Sequence, residues 1–534
     1  MLTGDIPWPD EFVERYRRAG YWSDQTLTDL LRSWSAGYGD HVAVIDGHRR
    51  VTYRALEDRV GRLAGGLRER SIERDSDIVV HLPNSLEFLL VCFALFRLGA
   101  RPVLALPAHR RSEIRHLCEV SGATGYIARD RFQGFDHREL ARELTSSIPD
   151  LHHVFICGDS EEFTALEDVD GDPEQGPGPD PGDVAFFLLS GGTTGPPKLI
   201  PRTHRDYAYN VGLSASNAGL GPDDVYLAVL PVAHNYALGC PGVLGTLATG
   251  GTVVMSPTPS PDDAFELIAR ERVTVTGLVP PLALLWCELA GTADLSSLRL
   301  LQVGGAKLTP EGARRIGCAL DCRLQQSFGM AEGLLSQSAP GDSAELTSRA
   351  QGRPLSPGDE IRIVDEEDRG VAPGEVGRLL TRGPYTIRGY YRAEAYNARA
   401  FTEDGFLRTG DLVRRLPSGH LVVEGRVTDT INRGGDKVAP DELEDHLLQH
   451  PGVVDVAVAG VPDAVMGERT CAWVVARDPA LRLPEIARFL RECGVAAYKI
   501  PDRLELLDAL PHTGIGKVDR ARLPRRAVPE RRRP

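Results

Sequence analysis

The chain has 534 residues, more than one hydrophobic core usually organises, so two or more domains are expected. A hydrophobic share of 42% and a charged share of 25% are those of a globular protein, and a formal net charge of −14 argues against a nucleic-acid binder, whose surface would be basic. The most apolar segment, 88–98, is too short to span a bilayer and carries Arg97, so no membrane association is expected. Met1 to Asp5 lack the basic and apolar regions of a secretion signal. The nine cysteines are scattered, and Cys318 and Cys322 have no zinc-spaced companions. Reduced thiols and a cytoplasmic location are expected.

Taken in order, residues 52–67 predict an amphipathic helix with Leu56, Val60, Leu63 and Leu67 on one face. A strand at 77–82, a buried helix at 85–98 stopped by Gly99, and a strand at 101–106 make a βαβ unit and therefore a parallel sheet covered by helices. Residues 169–183 are acidic and rich in Gly and Pro, the composition of an exposed linker. The apolar run 184–189 reads as a strand. Beyond it the alternation resumes, with strands at 225–230, 252–255, 273–278, 298–303 and 323–327 and helices at 236–248, 262–272 and 309–320. From about Gly341 the runs become short and alternating (360–364, 376–381, 420–424), as in an antiparallel barrel or sheet. After a hinge at 426–430, a helix (441–450), strands (454–460 and 471–476) and a second helix (483–493) form a compact α+β unit. The expected fold is thus α/β. A large N-terminal domain (1–425) holds helix-covered mixed sheets and a distorted β-barrel, and a small mobile C-terminal domain spans 431–534.

The strand at 184–189 leads into Ser190-Gly191-Gly192-Thr193-Thr194-Gly195-Pro196-Pro197-Lys198. Glycines let backbone N–H groups approach a ligand closely, two threonine hydroxyls add donors, and Lys198 adds a point charge. Such a set suits a polyphosphate, although it is not a Walker A loop, and an unliganded Gly/Thr turn is the alternative. The cations are nearly all arginine. Lysine occurs only at 198, 307, 437, 499 and 517, and all but Lys499 stand beside glycines. This placement favours a compact, mobile ammonium at chosen points.

Five motifs occur in register: Ser190 to Lys198; Ser327-Phe328-Gly329-Met330-Ala331-Glu332; Arg408-Thr409-Gly410-Asp411-Leu412; Gly425-Arg426 with Asn432-Arg433-Gly434-Gly435; and Gly514-Ile515-Gly516-Lys517. Together they resemble the adenylate-forming superfamily of acyl-CoA synthetases, peptide-synthetase adenylation domains and luciferases. Arg202-Thr203-His204, Ala233-His234-Asn235-Tyr236 and Arg382-Gly383-Pro384-Tyr385-Thr386 resemble its stand-alone aryl-acid adenylating enzymes of siderophore-type pathways.

The resemblance implies ATP and Mg²⁺. Ser190, Gly191, Thr193, Thr194 and Lys198 would hold the phosphates. Gly305, Ala306, Lys307, Ser327, Phe328, Gly329 and Met330 would line the nucleotide slot. Asp411 and Arg426 would hold the ribose side, Glu332 the metal, and Lys517 the reacting carboxylate and α-phosphate. Each has a plainer reading: Asp411 in a turn, Glu332 at a helix N-terminus, Arg426 in an interface ion pair, Lys517 in a solvated tail.

For the acyl pocket the resemblance implies His234, Asn235, Tyr236, Cys240, Gly305, Ala331, Leu335 and Lys517. His234 would act beside the carboxylate, or be a buried core histidine. Tyr236 can stack on a ring, and Asn235 can bond a hydroxyl ortho to the carboxylate. Cys240 and Leu335 look like the salicylate type rather than the 2,3-dihydroxybenzoate type, because sulfur bonds poorly and leucine fills the space of a 3-hydroxyl. Cys240 as a small core residue remains open.

Gly434, Gly435 and Lys437 resemble the segment lining a pantetheine tunnel. The thiol would come in trans from an aryl carrier protein, and Thr428 departs from the family's usual hinge residue. The expected function is therefore ATP-dependent activation of salicylate and its transfer to a carrier thiol. The alternatives are a 2,3-dihydroxybenzoate–AMP ligase, an aryl-CoA ligase and a non-catalytic binding module.

Overall fold

The computed structural model describes residues 6–174, 176, 178–190, 197–291, 293–305, 308, 310–427, 431–438, 440–511 and 523, except for the side chains of 311, 425, 426, 441 and 445. By Cα proximity the chain forms two compact units. One comprises 1–107, 117–189 and 199–425; the other comprises 108–116, 190–198 and 426–534.

The first unit contains two large sheets. One has nine strands with a parallel centre, in the order Arg353–Pro354, Leu335–Gln337, Arg323–Gly329, Leu300–Gly304, Val275–Leu278, Val225–Ala228, Thr252–Met255, Val42–Asp46 and Arg49–Thr52. The other has seven, in the order Leu199–Thr203, Val184–Leu189, Arg101–Leu104, Asp77–His81, Gly125–Arg129, His153–Cys157 and Thr164–Ala165. The predicted βαβ block is present with its predicted stop. The Ser85 hydroxyl caps helix Leu86–Leu98 by accepting from Phe88 N, and Gly99 ends it in the left-handed region at φ 70°.

The α/β class is borne out, with one difference. Glu360–Val364, Val376–Arg382, Leu407–Arg415 and Leu421–Arg426 form an open four-stranded antiparallel sheet, and no closed barrel is present among the described residues.

Two other expectations change. The stretch 236–248 is two helices, Asn235–Gly239 and Gly242–Ala248. Pro241 lies between them and has no N–H to continue the first. The stretch 169–183 is not a loose linker over its first half. Residues 169–174 lie along helix Tyr53–Glu69, with Gly171 N bonding Arg62 O at 3.2 Å and Glu174 N bonding Gly61 O at 3.3 Å. Glycine permits this approach: a Cβ on Gly65 would stand 1.9 Å from Asp172 O, and one on Gly66 2.6 Å from Asp170 N.

The second unit carries a five-stranded sheet. Asp436–Val438, Ile431–Arg433, Gly467–Ala476 and Val453–Asp463 lie in that order, and Arg503–Leu506 also pairs with Gly467–Ala476. Helices Pro440–Leu447 and Leu483–Glu492 cover a core that includes Ile431, Leu443, Val458, Val474 and Ile486. Buried within this unit, Lys499 Nζ donates to both oxygens of Glu442 (2.8 and 3.1 Å) and to Glu113 Oε1 (3.2 Å). Among the described residues no helix is long and apolar enough to cross a membrane, and all nine cysteines are free thiols, five of them buried.

Candidate active site

In the first unit the parallel strands Val275–Leu278, Leu300–Gly304 and Arg323–Gly329 end side by side, where open α/β sheets bind ligands. The predicted residues follow these ends. Gly305 sits just beyond one at φ 82°, and Ser327, Phe328 and Gly329 close the next. Tyr236 reaches in from helix Asn235–Gly239; a Cβ on Gly304 would stand 3.2 Å from its ring and 2.9 Å from Ser327 O. The hydroxyls of Tyr236 and Ser327 are both buried and lie near each other. The Tyr236 phenol is held far above its usual range, chiefly by burial.

Asn235 is buried and doubly engaged. Its Oδ1 accepts from Tyr207 Oη at 2.9 Å, and its Nδ2 donates to Cys240 Sγ at 3.4 Å. Burial pushes the Cys240 thiol up to about 12, so its sulfur is a neutral, weak acceptor. Cys240 packs with Leu335 and Tyr385 in one apolar cluster, flanked by Tyr236, Tyr209, Leu213 and Leu355. Asn235, Tyr236, Cys240 and Leu335 are thus assembled into one wall.

His234 is exposed, which removes the reading of a core histidine. As N-cap of the five-residue helix, its Nδ1 accepts from Tyr236 N at 3.2 Å. In the neutral ring the proton is therefore on Nε2.

Glu332 stands in a turn, not at a helix start. Its Oε1 accepts from Tyr390 Oη at 2.8 Å, and its carbonyl accepts from Ile387 N. Among the described residues no three His, Cys, Asp or Glu side chains cluster as metal ligands. Phe328 and Met330 pack on Leu334, Leu379 and Val413. Asp411 lies within strand Leu407–Arg415, not in a turn, and is 4% exposed; its N–H bonds Thr409 Oγ1 at 3.0 Å.

In the second unit Ser190 and Lys198 clamp the two ends of the Gly/Thr loop. Ser190 N donates to Lys198 O, and Lys198 N donates to Ser190 Oγ, each at 2.9 Å. Gly434 and Gly435 form a turn at φ 63° and 105° between Ile431–Arg433 and Asp436–Val438, with Lys437 on the second of these strands. Arg433 holds the turn by a forked pair to Asp502 at 2.7 and 2.8 Å. Gly191, Thr193, Thr194, Ala306, Lys307, Thr428, Lys517 and the side chain of Arg426 lie outside the described residues.

Several supporting residues received no role from the sequence. Arg202 is fully buried between Asp206 (2.8 Å) and the Ala331 carbonyl (2.9 Å), and it lies 4.7 Å from the Tyr207 ring centre. Asp359 accepts from Tyr385 Oη at 2.8 Å, and burial raises its carboxyl to about 7. The available signal was that Arg202 and Tyr385 belong to quoted motifs.

The family model "AMP-binding enzyme" matches residues 31–391, and "AMP-binding enzyme C-terminal domain" matches 442–517. The chain is 53% identical to the 2,3-dihydroxybenzoate-AMP ligase of Bacillus subtilis, covering 99% of each chain. It is 47% identical to the salicyl-AMP ligase / salicyl-S-ArCP synthetase of Mycobacterium tuberculosis, over 97% of this chain and 94% of that one. Among solved structures, apo MbtA of Mycobacterium smegmatis superposes with a TM-score of 0.78 at 47% identity, covering 97% of this chain and 98% of that one. With both segments matched in order and relatives about half identical end to end, the chain belongs to the AMP-binding enzyme family.

Proposed function

We propose that the chain activates an aryl acid with ATP and passes the acyl group to a thiol. A carboxylate is a poor electrophile because its leaving group would be oxide. Attack of its oxygen on the α-phosphorus expels pyrophosphate and leaves an acyl-adenylate, from which AMP departs readily when a thiolate attacks the carbonyl carbon. The first step relies on positioning and charge neutralisation. Thr193, Thr194 and Lys198 would serve the phosphates, Glu332 would add one oxygen to Mg²⁺, and Asp411 and Arg426 would take the ribose side. Lys517 would bridge carboxylate and α-phosphate. Names of the relatives that include 2,3-dihydroxybenzoate-AMP ligase and salicyl-AMP ligase support the aryl-acid class.

For the acid itself we favour salicylate. The Asn235 amide, a buried donor whose partner is a thiol sulfur at 3.4 Å, supports a 2-hydroxyl, which salicylate and 2,3-dihydroxybenzoate share; the observation that favours salicylate between them is Leu335 packed with Cys240. A weakly satisfied N–H beside an aromatic wall suits a phenolic oxygen ortho to a carboxylate. Leu335, in the same cluster, would fill space that a 3-hydroxyl needs. The second reading, 2,3-dihydroxybenzoate, is favoured by the name of the 53% identical relative. The acceptor would be the phosphopantetheine arm of a separate aryl carrier protein, with Gly434, Gly435 and Lys437 along its path. CoA is the alternative acceptor.

ATP–pyrophosphate exchange with a panel of hydroxy-, amino- and methylbenzoates tests the reading. Salicylate should give the highest kcat/KM. Equal rates with aliphatic acids would overturn the aryl pocket, and faster exchange with 2,3-dihydroxybenzoate would overturn salicylate. Incubation with salicylate, ATP and either holo carrier protein or CoA separates the acceptors.

A further inference from the structure

The strand Leu335–Gln337 is three residues long and pairs with Arg323–Gly329 on one side and Arg353–Pro354 on the other. Its first residue, Leu335, lies opposite Gly329, whose missing Cβ leaves room for the leucine: a Cβ there would stand 2.5 Å from Leu335 Cδ2. The Leu335 carbonyl accepts from Leu355 N at 2.9 Å, and its N–H makes a bond outside the sheet. Leu335 N donates to Tyr385 Oη at 3.3 Å. That phenol in turn donates to Asp359 Oδ2 at 2.8 Å. Oδ2 also accepts from Ser356 N at 3.1 Å, and Ser356 Oγ lies 2.8 Å from Tyr209 Oη. Tyr385 is 1% exposed, and its ring packs against Cys240 and Leu335. Backbone amide, phenol and carboxyl therefore form one buried line that ends behind the pocket wall.

We propose that Tyr385 and Asp359 are positioning residues that fix the depth of the aryl pocket by holding the Leu335 amide in place. This rests on the reading of the pocket as an aryl-acid site with Leu335 facing the ring. Asp359 orients the phenol, and the phenol anchors the strand end. Without that anchor, the end of the strand is free to shift and carry Leu335 with it, and an acid with an added 3-hydroxyl enters more easily.

The test is the ratio of kcat/KM for salicylate to that for 2,3-dihydroxybenzoate in ATP–pyrophosphate exchange. Tyr385→Phe keeps the ring and removes the bond. It should lower the ratio by about 5- to 10-fold, the worth of one such hydrogen bond, mainly through KM of the larger acid, with KM for ATP unchanged. Asp359→Asn retains an acceptor and should keep the ratio, whereas Asp359→Leu should lower it as Tyr385→Phe does. Leu335→Val should lower it too, and combining it with Tyr385→Phe should add little. If Leu335→Val moves the ratio and neither Tyr385→Phe nor Asp359→Leu does, the positioning role is wrong and the pocket reading stands. If Leu335→Val leaves the ratio unchanged, the pocket reading itself falls. Should Tyr385→Phe not fold, the contrast between Asn and Leu at 359 decides: equal ratios overturn the proposal.

Discussion

Arg202 donates through Nη1 to the carbonyl oxygen of Ala331 at 2.9 Å, joining the strand after the Gly/Thr loop to the turn that carries Glu332. Its Nε binds Asp206 at 2.8 Å, and Asp206 also accepts from Thr203 N and Oγ1 at the start of helix His204–Ala218. One buried guanidinium thereby fixes a helix cap and a site turn together.

Arg202→Ala should lose about 3–5 kcal/mol of stability, because it strands a buried carboxylate, and it should raise KM for the acid by freeing the turn. Urea denaturation and exchange kinetics measure the two effects. Arg202→Lys, which cannot fork, should recover part of the stability and little of the KM. Full recovery of both by lysine would mean that charge alone matters.

Asp359 gives a pH dependence with a definite sign. Its folded value of about 7 is raised above the ordinary carboxyl range near 4. Its contribution is therefore whole below pH 4 and is lost as pH rises to 7. Asp359→Asn removes that titration. Relative to the parent, the variant should gain roughly 3 kcal/mol between pH 5 and pH 8. Parallel stability curves in urea at the two pH values would contradict this.

Lys499 is a buried cation held by acids. Burial would lower its ammonium, but Tyr498, Glu113 and Glu442 reverse this and hold it above its usual range. Lys499→Met should cost about 3–5 kcal/mol near neutral pH by leaving the buried Glu113 carboxylate without its cation, and the loss should ease as pH falls into the carboxylate range, where Glu113, whose carboxyl burial would raise but Lys499 holds below its usual value, takes up a proton. Denaturation of the second unit, followed by Trp473 fluorescence, reports it. A loss that does not depend on pH would assign the effect to packing.

Gly65→Ala and Gly66→Ala should each cost about 1–3 kcal/mol, since the new methyl meets backbone at 1.9 and 2.6 Å. Gly37, where an added Cβ meets nothing within 4 Å, is the control in the last turn of helix Leu27–Tyr38, where alanine should be neutral or stabilising. Equal thermal melts for the variants at 37 and 65 would refute the packing.

The βαβ blocks were legible because period and punctuation agree there: an apolar helix between Ser85 and Gly99, flanked by all-buried strands. Helix His204–Ala218 went unread because its inward face carries Asp206, Asn210 and Ser214, so no apolar stripe marks it. The pocket wall at Asn235, Tyr236, Cys240 and Leu335 was reached through resemblance. Its props, Arg202, Tyr207, Tyr385 and Tyr390, were not, because each acts through a partner 26 or more positions away. Lysine placement was only partly informative: Lys499, the one without a glycine beside it, is the centre of a buried ion cluster.

The glycine face of helix Tyr53–Glu69 changes where this chain tolerates being cut or lengthened. A protease, tag or inserted segment directed by composition to the acidic Pro/Gly stretch would meet its first half already docked, with Gly171 and Glu174 bonded to the helix. Gly178, where an added Cβ would meet nothing within 4 Å, is a permissive point, so a few residues separate a junction that unravels the helix face from one that leaves it intact.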